Sequence, residues 1–429
     1  KKKRFDLHPI VRRYAYDRLA APDRAAAHMR LRDYFTAAPR VDKVKHLEDL
    51  SPVIELYHHT VHAGQFDKAF TLFHDRLADA LYYQLGVYQL RIDLLRALFP
   101  DGEDRLPRLN NESAQAWTLN ALANSYNSSG QPRLALALYA QHNAIYERRG
   151  NKTNLAIGLR NLAQVQMPIG KLRAAETSLL SSIELSREID DELHRPTGLE
   201  ALGRLLAYRG AYAKSKRQLG AALRLFRKHT NGQYQGLVWP YRALCRLLLL
   251  RRAALCSSLR FMIADPRSAI APARRALELA DETARTMFPS ERDYVRAHGV
   301  LGAAHRVAGQ YDEAERHLHE ALEPCRRINC VEAEADILID LARLRTATGL
   351  CEEAQRLAEE ALLITERCGY VLQGADAHLE LAKLAFARGD KTGGLEHAQK
   401  AKELATCDGP PDYTYKVAYD EACALLARQ

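Results

Sequence analysis

The sequence predicts an all-α protein, a solenoid built from α-α hairpins with a 40-residue repeat. The first observation is two series of glycines spaced by 40 residues: Gly130, Gly170, Gly210 and Gly309, Gly349, Gly389. The second is a leucine eight positions before each glycine: Leu122, Leu162, Leu202, Leu301, Leu341, Leu381. The third is a small residue five positions after each glycine: Ala135, Ala175, Ser215, Ala314, Ala354, Gly394.

Each of these positions has a physical reason. A glycine ends the first helix of a hairpin because it adopts the left-handed backbone conformation without a steric penalty. The small residue lets the two helices approach closely, and the leucine fills the seam between them. Each hairpin leaves one apolar face uncovered, so the next hairpin must stack on it.

Composition excludes several classes of protein. The hydrophobic content of 47% is too high for disorder, and no run of 18 apolar residues occurs, so we expect no membrane span. The eight cysteines form no CxxC pairs, which favours a reducing, cytoplasmic location. The net charge of +9 would suit nucleic acid, but the arginines are spread over nearly every helix without aromatic-basic clusters. This distribution argues against nucleic acid as a partner.

The offsets of leucine, glycine and small residues resemble the tetratricopeptide repeat (TPR) family from about Leu50 to Ala405. The resemblance implies a right-handed TPR-like α-α superhelical solenoid that recognises another macromolecule. The period of 40 differs from the family's 34, and no proline follows the second helix at the family position. Both departures imply longer helices and links, as in large bacterial signalling proteins.

We therefore expect a solenoid over residues 46–406. The distance from Gly210 to Gly309 exceeds two periods by 19 residues, which predicts an insertion at 253–268. Gly409-Pro410-Pro411 should end the last repeat helix, so residues 407–429 are predicted to form a C-terminal capping helix from about Tyr413.

Residues 1–45 do not follow the repeat. The segment Phe5-Asp6-Leu7-His8-Pro9 leads into an amphipathic helix and resembles the end of the winged-helix module in STAND NTPases of the NB-ARC type. In that family the histidine approaches the phosphate of bound ADP, so the resemblance makes His8 a cofactor contact if the nucleotide-binding domain is present. The alternative is that His8 only caps the start of a helix.

The sequence begins at Lys1, without a signal peptide, and we expect it to be a piece of a longer protein. No GxxxxGK[ST] loop occurs, so we expect no cofactor in this fragment. The resemblance implies a missing N-terminal nucleotide-binding domain of the same chain as one partner.

We find no catalytic set and expect no enzyme activity, because GxSxG and HExxH patterns are absent. We also expect no metal site. His58 and His62 share a helical face at i, i+4 but lack a third ligand, and His317 and His319 face apart.

The expected binding site is the concave groove, lined by first-helix positions six and ten residues before the turn glycines. The predicted groove residues are Asn120, Asn124, Arg160, Gln164, Glu200, Arg204, Arg343 and Lys383. Their amide and charged groups suit a peptide backbone or carboxylate, although a merely solvated inner face would show the same pattern.

Three functions remain open at this point. The first is the sensor part of a bacterial STAND signalling NTPase that binds a protein or peptide. The second is a stand-alone TPR scaffold or adaptor. The third is an unrecognised enzyme, or a solenoid partner of a separate catalytic chain.

Overall fold

The computed structural model describes residues 9–37, 44–228, 232–255, 265–287 and 289–427. His8 lies outside these ranges. The chain divides into two compact units, Lys1–Thr118 and Leu119–Gln429. This division differs from the predicted boundaries near residues 45 and 406. The helices Ser51–His62 and Phe66–Arg76, at the start of the predicted solenoid, belong to unit 1, and the C-terminal helix Lys416–Ala427 packs within unit 2.

Unit 1 consists of short helices. Its α-helices are α1 (Pro9–Arg18), α2 (Ala21–Thr36), α3 (Ser51–His62), α4 (Phe66–Arg76) and α5 (Tyr88–Arg96). A 3-10 turn, Leu47–Leu50, precedes α3, and a π-helical turn, Ala80–Gln84, precedes α5. The core is aromatic: Tyr57 and Phe73 are fully buried, and the Tyr57 hydroxyl donates to the Leu94 carbonyl.

Unit 2 is a stack of antiparallel helix pairs, and the first helix of its first pair begins at the end of unit 1. The helices are α6 (Glu112–Ser128), α7 (Pro132–Arg148), α8 (Lys152–Gln166), α9 (Leu172–Glu188), α10 (Arg195–Tyr208), α11 (Tyr212–Lys228), α12 (Gly232–Leu255), α13 (Ile270–Thr286), α14 (Glu291–Val307), α15 (Tyr311–Arg327), α16 (Val331–Ala347), α17 (Cys351–Cys368), α18 (Val371–Ala387), α19 (Lys391–Thr406) and α20 (Lys416–Ala427).

The sequence-based reasons for the hairpins hold in detail, and the predicted all-α, TPR-like solenoid is confirmed. All six turn glycines have a positive φ, between 74° and 81°. The small residues after them pack against the first helix of their hairpin, and Ala135, Ala175 and Ala314 have no exposed surface. The seam leucines Leu122 and Leu301 are also buried.

Unit 2 folds back on itself about five repeats along the chain. The turn at Gly130 lies against Val331 at the start of α16, and the turn at Gly170 lies against Val371 at the start of α18. Val371 also donates its backbone N–H to the Pro168 carbonyl at 2.7 Å. The turn at Gly210 lies against Lys416 at the start of α20. Early turns therefore pack on the beginnings of late helices.

The insertion and the cap differ in extent from their predictions. Helix α12 continues to Leu255 and a 3-10 turn occupies Pro266–Ala269, so both ends of the predicted insertion 253–268 are helical, and 256–264 lie outside the described residues. The final helix begins at Lys416 and packs on α19, α12 and α18. Among the described helices, none combines the length and apolar character that crossing a membrane requires.

Candidate functional site

The predicted groove residues all lie on first helices of unit 2, and the earliest of them form an amide chain. Asn161 of α8 donates to the Asn120 side-chain oxygen at 2.9 Å, and Arg160 donates to the Asn161 side-chain oxygen at 2.7 Å. The Tyr139 hydroxyl donates to Asn124 at 2.8 Å. Gln164 lies half-buried on α8. Side-chain amides therefore link neighbouring repeats at this end of unit 2.

The Arg204 side chain, which is 13% exposed, lies among aromatic rings and a carboxylate. Its Nη2 atom lies 2.5 Å from Glu332 Oε1, so the pair joins α10 to α16. The guanidinium carbon lies 5.5 Å from the centroid of the Tyr208 ring and 5.3 Å from that of Tyr241. Aromatic faces and a desolvated carboxylate both favour the charged form of arginine.

Arg343 and Lys383 are paired with acidic residues that the sequence analysis did not select. Arg343 lies 3.1 Å from Asp376 and 3.0 Å from Glu380. Lys383 lies 2.9 Å from Glu380 and 2.5 Å from Glu421. We expected these cations to be available to a ligand, whereas the structure pairs them with carboxylates of the same chain.

These residues belong to one connected set of charged side chains, which we call the charge cluster. Its acidic members are Glu200, Glu332, Asp336, Asp340, Asp376, Glu380 and Glu421. Its basic members are Arg160, Arg204, Arg251, Arg296, Arg306, Arg343 and Lys383. Arg251 of α12 joins three helices, because it lies 2.6 Å from both Asp376 of α18 and Glu421 of α20.

The sequence contained a signal for some of the missed acids. Asp336 and Asp340 stand 13 and 9 positions before Gly349, and Asp376 and Glu380 stand at the same offsets before Gly389. These positions lie one and two helical turns from the residues six positions before the glycine, on nearly the same helix face. An inspection of that whole face would have found them.

Glu200 occupies the most basic part of the charge cluster. Its side chain is buried, and burial raises its pKa to about 7, against the opposing influence of Arg296, Arg160 and Arg204. Nothing among the described residues accepts a hydrogen bond from Nε of Arg160 or Nε of Arg204. At neutral pH three guanidiniums thus surround the half-ionised Glu200, while Glu332 pairs with Arg204 and Asp293 lies 3.8 Å from Arg296. Of the three, Arg160 is the best placed to receive an added carboxylate.

The histidines considered as metal ligands have other surroundings. In unit 1 the ring of His62 stacks on His28 with centroids 4.8 Å apart, and His62 Nδ1 contacts the His58 carbonyl at 2.7 Å. In unit 2 His317 is buried, whereas the side chain of His319 is 56% exposed, as expected for residues that face apart.

Comparisons with known proteins agree with this architecture. Residues 293–367 match the tetratricopeptide repeat family. A search of curated proteins gives no significant match. A Rap protein in complex with competence and sporulation factor is similar in structure, with 13% identity and a TM-score of 0.55 over 83% of this chain and 97% of the other. The Rap conjugation regulator of plasmid pLS20 in complex with the Phr* peptide has 13% identity and a TM-score of 0.52 over 89% and 95%.

A STAND protein with a tetratricopeptide repeat sensor from Pyrococcus horikoshii is also similar, with 14% identity and a TM-score of 0.42 over 92% of this chain and 54% of the other. At such identities a likeness shows the fold. The chain is therefore a tetratricopeptide-like α-helical solenoid, with tetratricopeptide repeats matched at residues 293–367.

Proposed function

We propose that unit 2 binds a peptide or protein segment through the charge cluster, with an acidic group of the ligand held by Arg160, Arg204 and Arg296. The observation that carries the proposal lies around Glu200, a carboxyl with a pKa of about 7 that is opposed by Arg296, Arg160 and Arg204. Two of these arginines have a further carboxylate, Asp293 beside Arg296 and Glu332 beside Arg204. A ligand carboxylate would accept from the buried Nε atoms of Arg160 and Arg204.

Stability alone does not account for so many buried and half-buried charges. Replacing a buried ion pair with well-packed apolar residues is often neutral or stabilising, because desolvation costs as much as the attraction returns. A solenoid that served only as a rigid spacer would do as well with leucines on this face. Binding gives a reason for these charges, because each can exchange a partner in the chain for an oppositely charged group of a ligand.

A peptide as the ligand class is supported by the two Rap structures, each of which contains a peptide or factor bound to a similar fold. We test it by selecting a displayed random peptide library on the full chain. We expect the selected peptides to be enriched in Asp and Glu.

The variant Arg160→Gln with Arg204→Gln should lose these peptides and keep its helical circular dichroism. Glutamine is preferred to glutamate here, because a carboxylate at position 204 would face Glu332 directly. Arg187→Gln, at an exposed i, i+3 pair with Glu184, is the matched control. Equal capture by the double variant and the control would refute the assignment.

The finer proposal is that the chain is the sensor of a bacterial STAND NTPase in the cytoplasm. Ligand binding would bias a nucleotide switch in the preceding domain of the same protein. The resemblance at Phe5 to His8 supports it. The coding sequence upstream of Lys1 tests it: a P-loop motif is expected, and a gene without one would leave the stand-alone scaffold as the better proposal.

A further inference from the structure

Two histidines and a glutamate meet on the hairpin formed by α14 and α15. His298 Nδ1 lies 2.9 Å from His317 Nδ1. Glu320 Oε2 lies 3.0 Å from His298 Nδ1 and 3.2 Å from His317 Nδ1. We call these three residues the ligand triad. Three potential ligand atoms therefore form a nearly equilateral triangle.

The triangle is slightly smaller than one face of a metal coordination tetrahedron. With metal–nitrogen and metal–oxygen bonds of about 2.0–2.2 Å, the ligand atoms of tetrahedral zinc lie about 3.3–3.6 Å apart, so the sides would lengthen by about 0.1–0.7 Å on binding. We propose that the ligand triad binds a divalent transition-metal ion, with Zn²⁺ as the best-fitting one, through Nδ1 of His298, Nδ1 of His317 and a carboxylate oxygen of Glu320. This site replaces our expectation of no metal, which considered only histidines on one helix.

The protonation states suit metal binding. Burial lowers the pKa of His298, and burial followed by the charge of Arg316 lowers the pKa of His317 to about 4. Burial would raise the pKa of Glu320, but the hydrogen bond from Arg316 and nearby positive groups lower it overall. Both imidazoles are therefore neutral at pH 7 and the carboxyl is ionised, as metal ligands must be.

Burial leaves one side of the site accessible. The side chains of His317 and His298 are 6% and 15% exposed, whereas Glu320 is 40% exposed. The two histidine ligands thus lie between the packed helices α14 and α15, and the third ligand, Glu320, lies on the side that faces solvent. His317 Nε2 accepts from Arg316 at 3.0 Å, so a metal bound at Nδ1, which moves the ring proton to Nε2, requires Arg316 to leave. Glu313 Oε2 lies 3.9 Å from Nε2, beyond hydrogen-bond distance.

Arg316 is the internal competitor for this site. Its guanidinium donates to both oxygens of Glu320, at 2.9 and 3.1 Å, and to Glu313 at 2.6 Å. It also contacts His317 Nε2 at 3.0 Å. A bound cation would replace Arg316 at Glu320, since the two positive charges repel each other at this distance.

The chain contains its own control for the third ligand. Eighty residues on, at the same offsets from Gly389, His378 and His397 pair through Nδ1 atoms 2.9 Å apart. The position equivalent to Glu320 is Lys400. The pKa of His378 is lowered mainly by burial, then by His397, and also by the charge of Lys400. The hairpin between the two carries Leu338 and Leu357 at the histidine positions. A histidine pair with a carboxylate thus occurs in one hairpin, and a histidine pair with a lysine in another.

Zn²⁺ titration of the full chain by calorimetry, with Co²⁺ absorption as a probe of tetrahedral geometry, tests the proposal. Glu320→Lys, which copies the sister hairpin, should bind one tight Zn²⁺ fewer than the wild type and lose the tetrahedral Co²⁺ spectrum. Loss of an outer-shell partner already costs about 10- to 100-fold in affinity, so the loss of a ligand should cost about 100-fold or more. Identical Zn²⁺ stoichiometry and Co²⁺ spectra in the wild type and this variant would overturn the proposal.

Three further variants separate metal binding from a purely structural role. Arg316→Gln should tighten Zn²⁺ binding about tenfold or more, because a competing charge is removed. Lys400→Glu should add one tight Zn²⁺ by completing the triad on His378 and His397. An unchanged affinity in the first and an unchanged stoichiometry in the second would count against the proposal. His298→Leu with His317→Leu, which adopts the apolar pair of the middle hairpin, should keep the fold and lose the ion.

Discussion

The packing of early turns on late helices can be measured with two matched glycine variants. Gly170 and Gly349 occupy the same repeat position, with φ of 78° and 81°. A Cβ at Gly349 would meet nothing within 4 Å, whereas one at Gly170 would lie 2.9 Å from Cγ1 and 3.2 Å from Cβ of Val371. Gly349→Ala therefore changes only the backbone, and Gly170→Ala also disturbs the contact with α18.

The expected magnitudes follow from these distances. An L-residue in the left-handed region costs about 1–2 kcal/mol, and this cost applies to both variants. Overpacking against a β-branched side chain adds about 1–3 kcal/mol for Gly170→Ala alone. Gly170→Ala should therefore be less stable than Gly349→Ala by about 1–3 kcal/mol. Urea unfolding followed by circular dichroism gives the difference, provided that the m-values agree, since repeat arrays can unfold in several steps.

Val371→Ala completes a double-mutant cycle. Alone it should destabilise the chain by about 1–2 kcal/mol, because it removes partly buried methyl groups. Combined with Gly170→Ala it should cost less or restore stability, because it makes room for the new Cβ. Equal destabilisation by the two alanine variants, together with an unchanged effect of Val371→Ala in the Gly170→Ala background, would refute the packing of this turn on α18.

Two further predictions concern charges in unit 2. Burial raises the pKa of Glu200 to about 7 from about 4.5, so the unfolded chain releases this proton first and stability falls as pH rises through that window. The free energy of unfolding of Glu200→Gln should therefore exceed that of the wild type by about 1–3 kcal/mol at pH 8 but not at pH 4.5, as measured by urea unfolding. The same difference at both pH values would contradict this prediction. Arg251→Leu should destabilise the chain by about 1–3 kcal/mol, because Asp376 then keeps Arg343 and Glu421 keeps Lys383 but each loses a buried charged partner. Exposed Arg187→Leu should cost less than about 1 kcal/mol. Similar losses in the two leucine variants would contradict the role of Arg251.

The hairpins were predictable because their signals are local. The leucine, glycine and small residue of one repeat lie within 13 residues of one another, so Leu122, Gly130 and Ala135 can be recognised without the rest of the chain. The division at Thr118 and the contact of Gly170 with Val371 were not predictable in this way. The contact depends on small rotations between successive hairpins that accumulate over about five repeats, and sequence spacing does not fix those rotations.

For the candidate site, the residues on the inner face were predictable from local signals, and their partners on distant helices were not. Helical periodicity placed Arg204 and Arg343 on the inner face. Their partners Glu332 and Asp376 lie 128 and 33 residues further along the chain. The first pair could be predicted only by knowing how unit 2 folds back on itself, whereas the second pair lies between neighbouring repeats. The ligand triad was missed because His298 and His317 are on different helices of one hairpin.

If Glu200 controls the charge offered to a ligand, the affinity for acidic peptides should depend on pH. Burial places the pKa of Glu200 near 7, against the opposing influence of Arg296, Arg160 and Arg204. Below pH 7 the Glu200 carboxyl is neutral and does not compete with an acidic peptide for the guanidiniums. Above pH 7 it is ionised and does compete. A selected acidic peptide should bind about tenfold more tightly at pH 6 than at pH 8, because its own carboxyls stay ionised throughout. Glu200→Gln should bind tightly at both values in fluorescence anisotropy titrations. The same pH dependence in the wild type and in Glu200→Gln would show that another group controls binding.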